Sequence, residues 1–255
     1  MGSLHEGHLT LVRLARGEAQ RVVLTIFVNP TQFGPGEDFS SYPRALEEDR
    51  RKLAGAAPVD LLFAPPEEEI YPFGHEAAVR VVVPKLGDDL CGASRPGHFE
   101  GVTSVVCRLL NIVSPDVLVL GEKDYQQLVL LTRMIEDLRL PVRVVSGPIR
   151  READGLAMSS RNAYLTEAER KSAPALHAEL QRLRRAVRDG SRDYAALQER
   201  AMRSLEAAGF RPEYVEVRRA ADLTKPPAAG GEQGELRALG AAWLGRTRLI
   251  DNVSV

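Results

Sequence analysis

The run at residues 22–28, Val-Val-Leu-Thr-Ile-Phe-Val, constrains this chain most. It is almost wholly apolar, and it sits between a helical pattern and a loop containing Pro30, Gly34, Pro35 and Gly36. A continuous apolar run suits a parallel strand covered by helices on both faces better than a strand with one wet face. The stretches around it alternate in the same sense. Residues 7–19 carry Leu9, Leu11, Val12, Leu14 and Ala15 at helical spacing, and a second helix is predicted at 44–54. Strands are predicted at 59–63 and 79–83. A helix at 99–113 should turn Val102, Val105, Val106, Leu109 and Leu110 to the core; a strand at 117–120, a helix at 124–138 and a strand at 141–145 follow. This βαβ rhythm predicts an α/β fold with a doubly wound, Rossmann-like parallel sheet, whose ligands lie beyond the carboxyl ends of the strands.

The rhythm changes near residue 149. Helical stretches at 166–188 and 192–208, separated by Asp189-Gly190, lead into extended segments at 214–217, 236–244 and 249–255, with a loop rich in Pro, Gly and Ala at 222–235. We therefore expect a doubly wound domain over 1–149 and a smaller α+β domain over 150–255. The 34 Lys and Arg against 35 Asp and Glu leave a formal net charge of −1. That balance gives no pull toward nucleic acid or an anionic membrane. Cys91 and Cys107 are the two cysteines, without zinc-ligand spacing. A reduced cytoplasmic protein with no protein-held metal is therefore expected. No apolar run is long enough to span a bilayer.

Five constellations carry chemistry. In Met1-Gly2-Ser3-Leu4-His5-Glu6-Gly7-His8, two histidines three apart share the first turn of a helix. The positive end of that helix favours phosphate and should keep the imidazoles neutral. Gly2 and Gly7 let a ligand approach the backbone. In Asn29-Pro30-Thr31-Gln32-Phe33-Gly34, just past the buried strand, Gln32 offers a donor and an acceptor for a substrate bearing hydroxyl and carboxylate. In Gly121-Glu122-Lys123-Asp124-Tyr125-Gln126-Gln127, Lys123 is placed for phosphate, Asp124 as an N-cap or a partner of ribose or metal-bound water, and Gln127 on the same face. In the stretch 151–162, Asp154-Gly155 reads as a tight turn, and Ser159, Ser160 and Arg161 match a triphosphate. In Arg95-Pro96-Gly97-His98-Phe99, His98 could orient a neighbour or cap a helix, while His75 and His177 read as surface histidines.

Taken in this order, the segments resemble the pantothenate synthetase (pantoate–β-alanine ligase) family of the nucleotidyltransferase superfamily, which carries a His-x-Gly-His signature. The match also includes Tyr42-Pro43-Arg44 and the closing Arg248-Leu249-Ile250-Asp251-Asn252. The resemblance implies condensation of pantoate with β-alanine through a pantoyl adenylate, with ATP as substrate accompanied by Mg2+, and AMP and pyrophosphate released. It implies that Met1, Gly2, Ser3 and Leu4, then His5, Glu6, Gly7 and His8, line the ATP site. Gly121, Glu122, Lys123 and Asp124, with Arg150, Met158, Ser159, Ser160 and Arg161, would complete it. His8, His5 and Lys123 would carry the chemistry; Gln32 and Gln127 would hold pantoate, and Gln32 also β-alanine. A homodimer through the first domain, and a second domain acting as a lid, belong to the same expectation.

Two departures stand out. The family has Val where this chain has Arg150, at a position whose backbone approaches the nucleotide. The family also carries a helix and a central strand ahead of the Met-Gly, so the first strand is expected to be missing and the chain to be short and poorly stable. A different nucleotidyltransferase using the same histidine signature, or a ligand-binding chain without turnover, are the rival readings. Pyrophosphate release that depends on pantoate separates them.

Overall fold

The computed structural model describes residues 2–227 and 234–255. The chain divides into two units, Met1–Glu122 with Gln126–Pro148, and Lys123–Tyr125 with Ile149–Val255. In the first, the order is α1 (Glu6–Glu18), β1 (Val23–Thr25), α2 (Leu46–Ala56), β2 (Leu61–Phe63), α3 (Glu67–Ile70), α4 (Cys91–Ser94), α5 (His98–Val113), β3 (Val117–Gly121), α6 (Tyr125–Asp137) and β4 (Arg143–Gly147). β1 pairs with β2 and β3 with β4, both parallel. Parallel neighbours need a crossover, and α2 and α6 supply it, which gives the expected βαβ units. α1 packs on β3 and β4. There Leu11 sits so near Gly147 that a Cβ on that glycine would lie 2.2 Å from Leu11 Cδ2.

The parallel sheet differs from expectation in extent. Only three residues of the 22–28 run form β1, although Ile26 N–H continues the pairing to Phe63 O at 2.9 Å. β1, β2 and β3 are exposed or half-buried rather than sealed on both faces, because each belongs to a two-stranded sheet. Residues 79–83 are not a strand. The N–H of Val81 donates to Ser104 Oγ at 2.8 Å, Thr103 Oγ1 donates to Val81 O, and Arg108 donates to Val79 O. Polar side chains of α5 thus take the hydrogen bonds a neighbouring strand would have made, and Val79 is left 79% exposed. Residues Glu122–Asp124 form a 3-10 turn that runs straight into α6, which places Asp124 immediately before its first residue.

The second unit contains α7 (Glu167–Ser172), α8 (Ala175–Arg188), α9 (Tyr194–Ala207), β5 (Arg211–Arg219), β6 (Leu236–Leu244) and β7 (Thr247–Ser254). The helix expected over 166–188 is two helices, broken at Pro174, whose ring cannot continue α7. Thr166 caps α7 reciprocally with Glu169, and Asp193 caps α9 through Ala196 N–H at 3.0 Å. β5, β6 and β7 form an antiparallel sheet in that order. Leu176, Leu180 and Leu183, one stripe of α8, pack with Leu205, Val217, Ala238 and Ala242 in one core. The loop expected at 222–235 lies partly outside the described residues. No helix among the described residues is long and apolar enough to cross a membrane.

Candidate nucleotide and pantoate sites

The turn into α1 holds two successive left-handed residues, Gly2 at φ +85° and Ser3 at φ +54°. Glycine adopts that conformation freely; serine does so under strain, and something must hold it. Asp49 of α2, 0% exposed, does so. Its carboxylate accepts from Ser3 N–H at 2.8 Å and Leu4 N–H at 2.6 Å, while Lys52 Nζ donates to Leu4 O at 2.8 Å. His5 follows as the N-cap of α1. Its backbone N–H donates to His8 Nδ1 at 3.3 Å, and the two rings stack with centroids 3.9 Å apart. Because Nδ1 of His8 accepts, the proton of the neutral ring belongs on Nε2, which is then a donor. Glu6 turns its carboxylate along the helix to Arg13, at 2.6 Å.

Gln32 ends a 3-10 turn, Pro30–Gln32, capped by Asn29. Asn29 is 1% exposed and anchors the turn. Its Nδ2 donates to Gly101 O at 3.1 Å and Gln32 Oε1 at 3.2 Å, and its Oδ1 accepts from Tyr71 OH at 2.6 Å. α5 lies directly on this turn: a Cβ at Gly101 would come within 2.3 Å of Thr31 O. His98 Nδ1 meets Gln32 O at 2.8 Å, so His98 orients a neighbour, one of its two expected roles. Arg95 clamps Glu37 through two bonds. Burial would raise the Glu37 carboxyl, but the hydrogen bond and charge of Arg95 bring it below its ordinary range.

The adjacent glutamines of α6 part company. Gln126 is buried and bound to Cys91 N–H, Leu86 O and Asp89 O. Gln127 is half-buried, and its side chain makes no hydrogen bond among the described residues. On the preceding turn, Glu122 accepts from Ser146 Oγ at 3.2 Å.

In the second unit, Lys123 Nζ lies 3.8 Å from Asp124 Oδ2, a half-exposed carboxylate. The segment from Arg150 to Met158 is a hairpin closed by Met158 N–H to Arg150 O and Glu152 N–H to Leu156 O. The Arg150 carbonyl is thereby engaged; the residue is exposed, and its guanidinium makes no hydrogen bond among the described residues. Ser159 caps the 3-10 turn Ser160–Tyr164, its Oγ accepting from Arg161 N–H at 3.2 Å, which leaves its hydroxyl hydrogen to donate elsewhere. Met1, expected at the ATP site, lies outside the described residues.

The pantoate–β-alanine ligase family profile matches residues 1–254. The chain belongs to the pantoate–β-alanine ligase family. It is 58% identical to the pantothenate synthetase of Thioalkalivibrio sulfidiphilus over 255 residues, covering 100% of this chain and 88% of the relative. It is 51% identical to that of Azotobacter vinelandii, covering 100% of this chain and 89% of the relative. Among solved structures it is similar to pantothenate synthetase from Thermus thermophilus, at a TM-score of 0.91 and 46% identity over 99% of this chain and 90% of that one. The pantoate–β-alanine ligase of Francisella tularensis, described as complexed with beta-gamma ATP and beta-alanine, matches at TM-score 0.81 and 34% identity, covering 100% of this chain and 87% of that one. The chain is accordingly a ligase that joins pantoate to β-alanine at the expense of ATP, in pantothenate biosynthesis.

In this ligase, Asp49 of α2 fixes the turn into α1 from far along the chain, and no local pattern marks it. Asn29 caps the 3-10 turn of its own loop motif and also reaches Gly101 O. His177 is not the surface histidine its sequence context suggested: its Nδ1 lies 3.2 Å from Asp251 Oδ2, and the side chain is only 18% exposed.

Proposed function

We propose that the ligase works in two steps through a pantoyl adenylate. A pantoate carboxylate oxygen attacks the α-phosphorus of ATP; the new O–P bond forms as the bond to pyrophosphate breaks. The β-alanine amine then attacks the activated acyl carbon, loses its proton, and displaces AMP. Such adenylation needs positioning and neutralisation of phosphate charge more than covalent help from the protein. Magnesium enters on the ATP phosphates as part of the substrate. In this reading the first unit brings the α1 N-terminus, with Gly2 to His8, to the nucleotide. Gln32 and Gln127 take the pantoate hydroxyl and carboxylate, and Gln32 also lies near β-alanine. From the second unit, Lys123, Ser159, Ser160 and Arg161 take phosphate oxygens, and Met158 and the Arg150 backbone approach the nucleotide. The homodimer and the cytoplasmic location implied by the family resemblance belong to the same reading.

The observation that carries it is the His5 N–H to His8 Nδ1 bond, which leaves the proton of a neutral imidazole on Nε2 in the first turn of α1. Charge that grows on the phosphates would strengthen that donor's bond in the transition state, and losing one such donor costs about 10²–10³ in rate. The test is single-turnover pyrophosphate release, with and without pantoate, in the wild type and in His8→Ala. Release that requires pantoate and falls by that factor in the variant is expected. Release without pantoate would point to a different nucleotidyl transfer, and a normal rate in His8→Ala would remove its role.

A further inference from the structure

The closing motif Arg248–Asn252 has no role in the reading above, yet it carries a buried, densely bonded polar cluster. Asp251 is 4% exposed and Asn252 2%. The Asp251 carboxylate takes both arms of the Arg151 guanidinium, at 2.7 and 2.9 Å, and also accepts from its neighbour's N–H at 2.7 Å. His177 closes the third side. The same guanidinium donates to Gly155 O at 3.0 Å and Asn252 O at 3.3 Å, so it spans the base and the tip of the 150–158 hairpin. At that tip Gly155 has φ +96°, and a Cβ there would meet the His177 ring at 2.9 Å. Asn252 faces the other way. Its Nδ2 donates to Lys123 O at 3.1 Å, and its Oδ1 accepts from Arg237 at 2.6 Å. Arg237 in turn lies over the Tyr125 ring at 3.8 Å, and Tyr125 OH donates to Ala220 O.

We infer that Asp251 and Asn252 are positioning residues: together they set the main chain of Lys123 and the hairpin that leads into Met158–Arg161 in one rigid frame. The inference rests on the reading that Lys123 and Met158–Arg161 meet the ATP phosphates. A planar, bidentate Arg–carboxylate pair fixes orientation as well as distance. Burial and the paired bonds of Arg151 to Asp251 hold the cluster in one orientation. A lysine whose main chain is tethered presents its charge from a fixed base, which lowers the cost of ordering it on the phosphates.

Asn252→Asp tests this. It keeps an oxygen for Arg237 but turns a second oxygen, in place of the amide donor, toward the Lys123 carbonyl. We expect the two substrates to separate, with an unchanged KM for β-alanine and a KM for ATP raised about tenfold. In the Lys123→Ala background the same substitution should add less than about twofold, since coupled residues are not additive. An unchanged KM for ATP, or the same factor in both backgrounds, would overturn the inference. Lys123→Ala without effect on ATP would overturn the phosphate assignment and the inference with it. Should Asn252→Asp melt early, Arg151→Lys decides instead. It keeps the charge beside Asp251 but loses the fork, and it should raise the KM for ATP while leaving that for β-alanine alone. A parallel rise in both would reduce the cluster to a merely structural one.

Discussion

In the second unit, Leu180, Leu205, Ala238 and Ala242 share one apolar core beneath strands of eight or nine residues. In the first, buried apolar residues fall into smaller separate clusters beside strands of three to five residues. The two halves therefore place their chemistry differently. Where the apolar core is small, buried polar side chains pin the candidate turns: Asp49 the turn before His5, Asn29 the turn ending at Gln32, Gln126 the segment ahead of α4. Where the core is large, helices and sheet are settled by packing, and the polar cluster on β7 has only the hairpin and the Lys123 turn to hold. Turn geometry is thus fixed by single buried hydrogen bonds in the first unit, and by a polar cluster mounted on a packed sheet in the second.

The sharpest break of this contrast compares two leucines. Leu180 is fully buried and Leu24 of β1 half-buried. Leu180→Ala should cost about 2–5 kcal/mol, whereas Leu24→Ala should cost ~1 kcal/mol. Urea unfolding followed by circular dichroism measures both, and equal losses would end the contrast. Next comes Asp49→Asn, which leaves an amide donor facing a backbone N–H and should cost about 1–3 kcal/mol. It should also slow pantoate-dependent pyrophosphate release. Lost stability at an unchanged rate would make Asp49 a fold residue alone.

A smaller effect is expected from acid. Burial raises the Asp251 carboxyl, but His177 and Arg151 outweigh it and hold it below its ordinary value. A carboxyl lowered by folding contributes stability above the unfolded pKa of about 3.9, and that contribution disappears as pH falls through the lower folded value. Between neutral pH and about pH 3 the wild type should therefore lose more stability than Asp251→Asn; parallel curves would remove the pair's contribution. The smallest effect belongs to Arg150→Val, within about 0.5 kcal/mol, with the ATP requirement unchanged. A large rise would show that the guanidinium reaches the phosphates.

Apolar periodicity revealed much of the architecture. α5 and β6 lie where spacing placed them, because α5 buries an apolar face and β6 is buried along most of its length. The segment at 79–83 has the composition of a strand, but its hydrogen bonds go to Ser104, Thr103 and Arg108, a choice made by tertiary partners. The motif residues His5, His8, Gln32 and Lys123 stood out as candidates by type and position. Their anchors did not. Nothing local distinguishes Asp49 from the acidic residues beside it, and its partners lie 45 and 46 residues away. Gln126 and Gln127 look alike in sequence, and only the fold assigns one to the protein and leaves the other available.

The long reach of the Asn252 tether bears on the order in which the molecule matures. The contact with Lys123 closes a loop of 129 residues, against 45 for that between Leu4 and Asp49. The additional closure entropy is only about 1 kcal/mol, since the cost grows with the logarithm of length. The difference in timing is larger. On the ribosome Asp49 emerges soon after the turn it holds, so the histidine turn can mature while most of the chain is still unmade. The bond from Asn252 to the Lys123 carbonyl forms only once β7 has been synthesised and paired, so that tether reaches its turn late.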